Sequence, residues 1–298
     1  MRLNLLGPLE LRDGHGERVE VPGLKQRVLL ATLAVRSGHV VSAERLVAAL
    51  WGEHPPAGVA NALQAHVRRL RKLLEAAGGD RIRTRPPGYQ LDLLPGETDT
   101  DEFTDLVASA KAVTGDRPLV AIPRLRAALE LWRGPALDGC VTGDVCAAEA
   151  VVLEEHRLAA YEALYDASLR AGQHAEVIGE LEETTATFPM RERFYDQLMV
   201  ALHRDGRQSD AIGVYDRARR RLLRELGVEP GPALRARMRS LLSDLPAEAA
   251  VGDVTRDLTE SVDLSRELAE LQQRLDTLTE RQEALMRSLH TIADRAGE

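Results

Sequence analysis

Hydrophobic positions divide the chain into three stretches with different rhythms. Short apolar runs at residues 3–6, 9–11 and 19–21, broken by Gly7-Pro8 and Asp13-Gly14, predict strands. Residues 24–35 predict a helix. A second starts at Ser42, a plausible N-cap, with Glu44 in its first turn and Leu46, Val47 and Leu50 on its apolar face. The run 52–58, containing Pro55-Pro56, can only be a loop. Beyond it Val59, Leu63, Val67, Leu70 and Leu74 recur by four, four, three and four, the buried stripe of a long helix over 59–76. Tyr89, Leu91 and Leu93 then alternate inward on a strand. The sequence Pro86-Pro87-Gly88-Tyr89 before it fits a type II turn with Pro87 and Gly88 at its centre. Residues 100–245 are helical throughout. Last, Leu264, Leu268, Leu271, Leu275, Leu278, Gln282, Leu285, Leu289 and Ile292 keep a strict four-three alternation that predicts a coiled coil and self-association, as a homodimer or higher homo-oligomer.

Two polar breaks separate these stretches: Pro95-Gly96 with the acidic residues that follow, and a small-residue run from Pro246 to Arg256. The expected domains are therefore 1–94, 95–246 and 247–298. The fold class is mainly α, an α+β winged helix-turn-helix leading an all-α domain and a final helix.

Charge sharpens the division. The chain of 298 residues carries a formal −8, yet residues 1–93 hold 14 Lys and Arg against 9 Asp and Glu, a net of +5. The remainder carries −13. Polyanion binding is thus expected of the front alone. On the long helix the face opposite the apolar stripe carries Asn61, Ala65, Arg68 and Lys72, flanked by Gln64 and Arg71 on one side and Arg69 on the other. Arginine suits guanine edges, Asn and Gln suit adenine, and a small residue permits close approach to the groove. On an extended strand, Arg81, Arg83 and Arg85 would project to one side. The plainer reading, a solvated charged helix beside an exposed hairpin, explains each feature separately but not their combination.

Other chemistries find little support. The longest apolar run, from Leu29 to Val35, is seven residues, far short of a membrane span, and the start of the chain lacks the features of a signal peptide, so a cytoplasmic location is expected. Cys140 and Cys146 are too few for a disulfide framework or a zinc site and are expected to be reduced. No phosphate loop, HExxH, GxSxG or strand-linked GxGxxG occurs, so neither catalysis nor a cofactor is expected. His156, His174, His203 and Trp132 are expected to be surface or packing residues.

The helical stretch repeats with a period of 34. Tyr161 recurs as Tyr195, Leu164 as Leu198, Ala167 as Ala201, Arg170 as Arg204, Gly172 as Gly206, Ile178 as Ile212 and Gly179 as Gly213. That is a tetratricopeptide-like pattern, a class that binds peptides or proteins.

Residues 1–93 resemble the OmpR-type winged helix of bacterial response regulators, through VSAERLVAALW, HVRRLRK and IRTRPPGYQL. By that resemblance Asn61, His66, Arg68, Arg69 and Arg71 occupy DNA-facing helix positions and Arg85 the minor-groove wing position. No receiver domain precedes the module, so phosphorylation control by that route is not implied. Ala62 and Ala65 stand where relatives often carry larger groups, so base preference does not carry over. Residues 131–135 (LWRGP) and the run from Arg191 to Arg235, with GRQSDAIGVYDRARRRLLRELGVEPGP, resemble the bacterial transcriptional activation domain. Residues 1–245 together resemble the small type of the Streptomyces antibiotic regulatory protein family. The resemblance implies a pathway-specific activator of secondary metabolism that binds promoter direct repeats and contacts RNA polymerase, sigma factor included. The expected DNA-contacting set is Asn61, Gln64, His66, Arg68, Arg69, Arg71, Lys72, Arg83 and Arg85, with Glu53 and His54 on the loop facing the polymerase. The competing reading is a tetratricopeptide-type adaptor without specific DNA recognition.

Overall fold

The computed structural model describes residues 1–79 and 81–243. The predicted coiled coil, and the second polar break with it, lie outside these residues. The chain opens with β1 (Arg2–Asn4), β2 (Glu10–Arg12) and β3 (Arg18–Val19), an antiparallel sheet in that order, with Leu3 opposite Leu11 and Leu11 opposite Val19. The predicted first strand is cut short. Leu5 and Leu6 are buried, but their amides donate to the carboxylate of Asp99 at 2.7 and 3.0 Å instead of to a neighbouring strand.

Helix α1 (Leu24–Ala34) is followed by β4 (Val40–Ser42), α2 (Ala43–Trp51), α3 (Val59–Ala77), β5 (Ile82–Arg85) and β6 (Gly88–Leu91). The Ser42 hydroxyl caps α2, accepting from the Arg45 amide at 3.3 Å, as its position predicts. Leu63, Val67, Leu70 and Leu74 are buried along α3, while Val59 is half-buried at its entry. The three later strands form a second antiparallel sheet in the order β4-β6-β5.

The hairpin turn differs from the predicted one. Arg85 pairs with Gly88, so the turn is centred on Pro86-Pro87, joined by a cis peptide bond. Gly88 serves a different purpose: a Cβ there would stand 1.9 Å from the carbonyl oxygen of Val41. It lets β4 close on β6.

The remaining helices are α4 (Asp99–Lys111), α5 (Pro118–Glu130), α6 (Asp144–Arg170), α7 (His174–Thr187), α8 (Glu192–Arg204), α9 (Gln208–Leu226) and α10 (Pro232–Ser243). The 34-residue repeat corresponds to two helical hairpins, α6–α7 and α8–α9. Leu164 and Leu198, like Ala167 and Ala201, are buried at equivalent places, and Gly172 and Gly206 reverse the chain at the same φ of 79°. Trp132 is a packing residue, edge-on to Phe103 and covered by the Arg157 guanidinium. Cys140 and Cys146 are free and buried, and burial pushes the Cys140 thiol up to about 11, which keeps it unreactive.

Residues 97–102, which read as a polar linker, do not behave as one. Residues 1–235 form a single compact unit. Thr98 caps α4, and Asp99 is 2% exposed beneath Leu5 and Leu6. The segment after α5 joins the same place: Arg133 N donates to Leu6 O at 2.8 Å, Leu137 N to Leu5 O at 2.9 Å and Asp138 N to Gly7 O at 3.1 Å. Arg133 also reaches Asp99, Glu10 and the carbonyl of Pro8. Burial lifts the Asp99 carboxyl above its usual range, against the pull of the two amides and Arg133. One apolar core runs from Leu3 and Leu29 through Leu70 and Leu91 to Phe103, Trp132 and Cys146.

Candidate nucleic-acid interface

Helix α3 buries one stripe and presents the other to solvent. Asn61, Gln64, Arg68, Arg69 and Lys72 are exposed, and Ala65 is half-buried between them. Among the described residues, Arg68, Arg69 and Lys72 make neither a hydrogen bond nor an ion pair. Their charges are available to an external partner.

Two other members of the expected set have work inside the molecule. Arg71 Nε donates to Ile82 O at 3.2 Å, and its Nη2 donates to Thr84 Oγ1 at 2.9 Å. It ties α3 to the hairpin and fixes the angle between them. His66 is half-buried against α1 and α2: Gln26 Nε2 donates to its Nδ1 at 2.9 Å, and its ring stands edge-on to Trp51 with centroids 5.7 Å apart. Burial, then the neighbouring charges of Arg69 and Lys25, hold its pKa below the ordinary imidazole value. The Lys25 ammonium lies over the Trp51 ring, 4.9 Å from its centroid. Lys25, Gln26 and Trp51 thus pack around His66 of α3. Sequence spacing carries no signal for them, because they come from two other helices.

The three strand arginines also divide. Arg81 bonds Glu97 at 3.1 Å and Arg83 bonds Asp92 at 2.7 Å. Arg85, last in β5 beside the Pro86-Pro87 turn, is exposed and without such a partner among the described residues. Arg81 precedes β5, so strand alternation applies to Arg83 and Arg85 alone, and it is blind to carboxylates arriving from the segment after β6. The hairpin tip therefore offers one uncompensated guanidinium. Glu53 and His54 are exposed on the loop between α2 and α3, as expected.

The arrangement supplies guanidinium and amide groups suited to base edges on one helix face, and cations suited to phosphates at both its flank and the wing. No group of three His, Cys, Asp or Glu side chains among the described residues could hold a metal ion. No helix among them is long and apolar enough to cross a membrane.

Comparison with known proteins agrees with this geometry. Residues 18–91 match the model described as "Transcriptional regulatory protein, C terminal", and residues 98–242 match "Bacterial transcriptional activator domain". Transcriptional regulator RedD of Streptomyces coelicolor is 42% identical over 252 residues, covering 83% of this chain and 71% of that protein. Regulatory protein DnrI of Streptomyces peucetius is 37% identical over 251 residues, covering 81% of this chain and 92% of its own. Among solved structures, Mycobacterium tuberculosis EmbR in complex with a low affinity phosphopeptide superposes with a TM-score of 0.77 at 34% identity, over 88% of this chain and 70% of that one. An exposed basic helix beside a hairpin, fused to paired helical repeats and matched across both parts by these models and relatives, places the chain in the Streptomyces antibiotic regulatory protein family of DNA-binding transcriptional activators.

Proposed function

We propose that this activator binds direct repeats in the promoters of a secondary-metabolite pathway, with α3 in the major groove and the Pro86-Pro87 hairpin over the adjacent minor groove. Arg68, Asn61 and Gln64 read bases. Arg69 and Lys72 hold phosphates, and Arg85 enters the minor groove. Arg71, Arg83 and His66 act at the edge of this surface, where they also hold the helix and wing in place. The protein works without a cofactor or catalytic chemistry, in the cytoplasm, as a homodimer or higher homo-oligomer on tandem sites. Glu53 and His54 contact RNA polymerase, the sigma factor included; both are exposed on the loop between α2 and α3.

The observation that carries this reading is the set of cations Arg68, Arg69, Lys72 and Arg85, which have no ion pair among the described residues, where other arginines are often matched with carboxylates. The relatives named regulatory proteins in Streptomyces support the pathway assignment. Footprinting with the full chain on promoters beside its own gene tests it: two or more protected direct repeats are expected. In reconstituted transcription, Glu53→Ala with His54→Ala should lower promoter output while leaving the footprint intact. Absence of any protected repeat, or a footprint that persists in Arg68→Ala/Lys72→Ala, overturns the assignment of the reading face.

A further inference from the structure

The acidic body contains a basic recess away from α3 and the hairpin. Helix α9 carries Arg217, Arg220, Arg221 and Arg224, whose spacings of three and four bring them to one side of the helix. With Glu182 of α7 and Tyr195 of α8 they line a recess of about 360 Å³. Elsewhere on the same helix an arginine is fully matched: Arg219 forks onto Glu229 with both contacts at 2.8 Å.

Within the recess the matching fails. Arg217 pairs with Glu182 at 3.0 Å. Arg221 and Arg224 share the single carboxylate of Glu225, at 3.8 and 3.2 Å. The Nε of Arg221 is buried without a hydrogen-bond partner among the described residues. Arg220 has neither an ion pair nor a hydrogen bond among them, and it is exposed. Four guanidinium groups therefore face two carboxylates, in the part of the chain after residue 93, whose net charge is −13. Arginine forks match phosphate oxygens two at a time, and a buried N–H without an acceptor is costly until something supplies one.

We propose that this recess is a binding site for a small molecule bearing a di- or triphosphate, such as a nucleoside polyphosphate. The row from Arg217 to Arg224 spans seven residues, or about 10 Å at 1.5 Å per residue, longer than one phosphate needs. Its concavity within the α7–α9 layer suits a compact anion rather than a duplex backbone. Such a ligand would couple the activator to the supply of phosphorylated metabolites through a site separate from the DNA-reading face.

The test is isothermal titration of the full chain with inorganic pyrophosphate and with ADP, at fixed low ionic strength and against sulfate as the control anion. Saturable binding of pyrophosphate or ADP, at least tenfold tighter than sulfate, is expected. Arg220→Ala/Arg224→Ala should weaken it tenfold or more. Both positions are exposed, so the melting temperature without ligand should hold, and affinity for operator DNA should stay within twofold. Preference for ADP over pyrophosphate would assign part of the recess to the nucleoside; equal affinity would assign the site to the diphosphate alone. Binding no tighter than sulfate, or unaltered in the double variant, overturns the proposal. So does a loss of operator affinity in that variant, because the occupant would then be the DNA backbone.

Discussion

Single side chains on α3 differ less in type than in what they already touch. Arg68 and Lys72 have no partner among the described residues, so their removal should be felt on DNA rather than in folding. Arg68→Ala should cost about 1–3 kcal/mol of operator binding and relax preference at one base pair. Lys72→Ala should weaken all sequences alike and reduce the salt slope by about one. Gel-shift titrations across salt concentrations separate the two, and an unaltered base preference in Arg68→Ala would remove it from the readers. His66 makes the opposite case. Its folded pKa lies below the ordinary 6.5, so around and below pH 6.5 the unfolded chain takes up more protons than the folded one. Stability should accordingly decline as pH falls through 6.5, until the folded imidazole itself takes up its proton. His66→Gln should flatten that dependence between pH 7.5 and 5.5 in urea midpoints. An identical slope in both proteins would show that the imidazole does not set it.

Elements were legible wherever one period governed one face. The Leu63–Val67–Leu70–Leu74 stripe located α3, Ser42 located the start of α2, and the paired Tyr, Leu, Ala and Gly positions located two matching hairpins. What escaped the sequence depended on pairing between distant segments. Nothing near Arg81 or Arg83 announces Glu97 and Asp92, and the spacing within α3 does not reveal that Arg71 leans onto Thr84. The turn shows the same limit at closer range. Gly88 resembles a turn glycine, yet its need is created by Val41, from a strand more than forty residues earlier. Because the clash is with backbone, a neighbour cannot yield by changing rotamer. Gly88→Ala should destabilise the β4–β6 pairing on the order of 3 kcal/mol and weaken operator binding through the displaced wing. A melting temperature equal to that of the parent chain would mean that β4 can slide aside.

At the level of the molecule, the charge of −8 averages a +5 reader and a −13 body that the fold does not keep apart. The acidic residues after Pro95 read as a linker because they are polar and follow a turn. One of them, Asp99, is instead the acceptor for two buried amides, and the backbone of Arg133, Leu137 and Asp138 docks beside it on the carbonyls of residues 5–7. The winged helix is therefore held by the body at its first strand, on a continuous core, and the two should unfold together. Residues 1–235 should show one calorimetric transition, whereas flexibly tethered domains would show two. Asp99→Ala leaves the Leu5 and Leu6 amides without an acceptor and takes one carboxylate from Arg133. At about 1–3 kcal/mol per buried unsatisfied donor, the loss should reach about 2–6 kcal/mol. Asp99→Asn retains one acceptor oxygen and should lose less. If the latch carries the coupling, Asp99→Ala should broaden or split the transition of the full chain, with the front melting first. It should also weaken operator binding without touching the reading face. A single transition shifted as a whole would instead assign the coupling to the apolar core alone, with Asp99 contributing stability but not cooperativity.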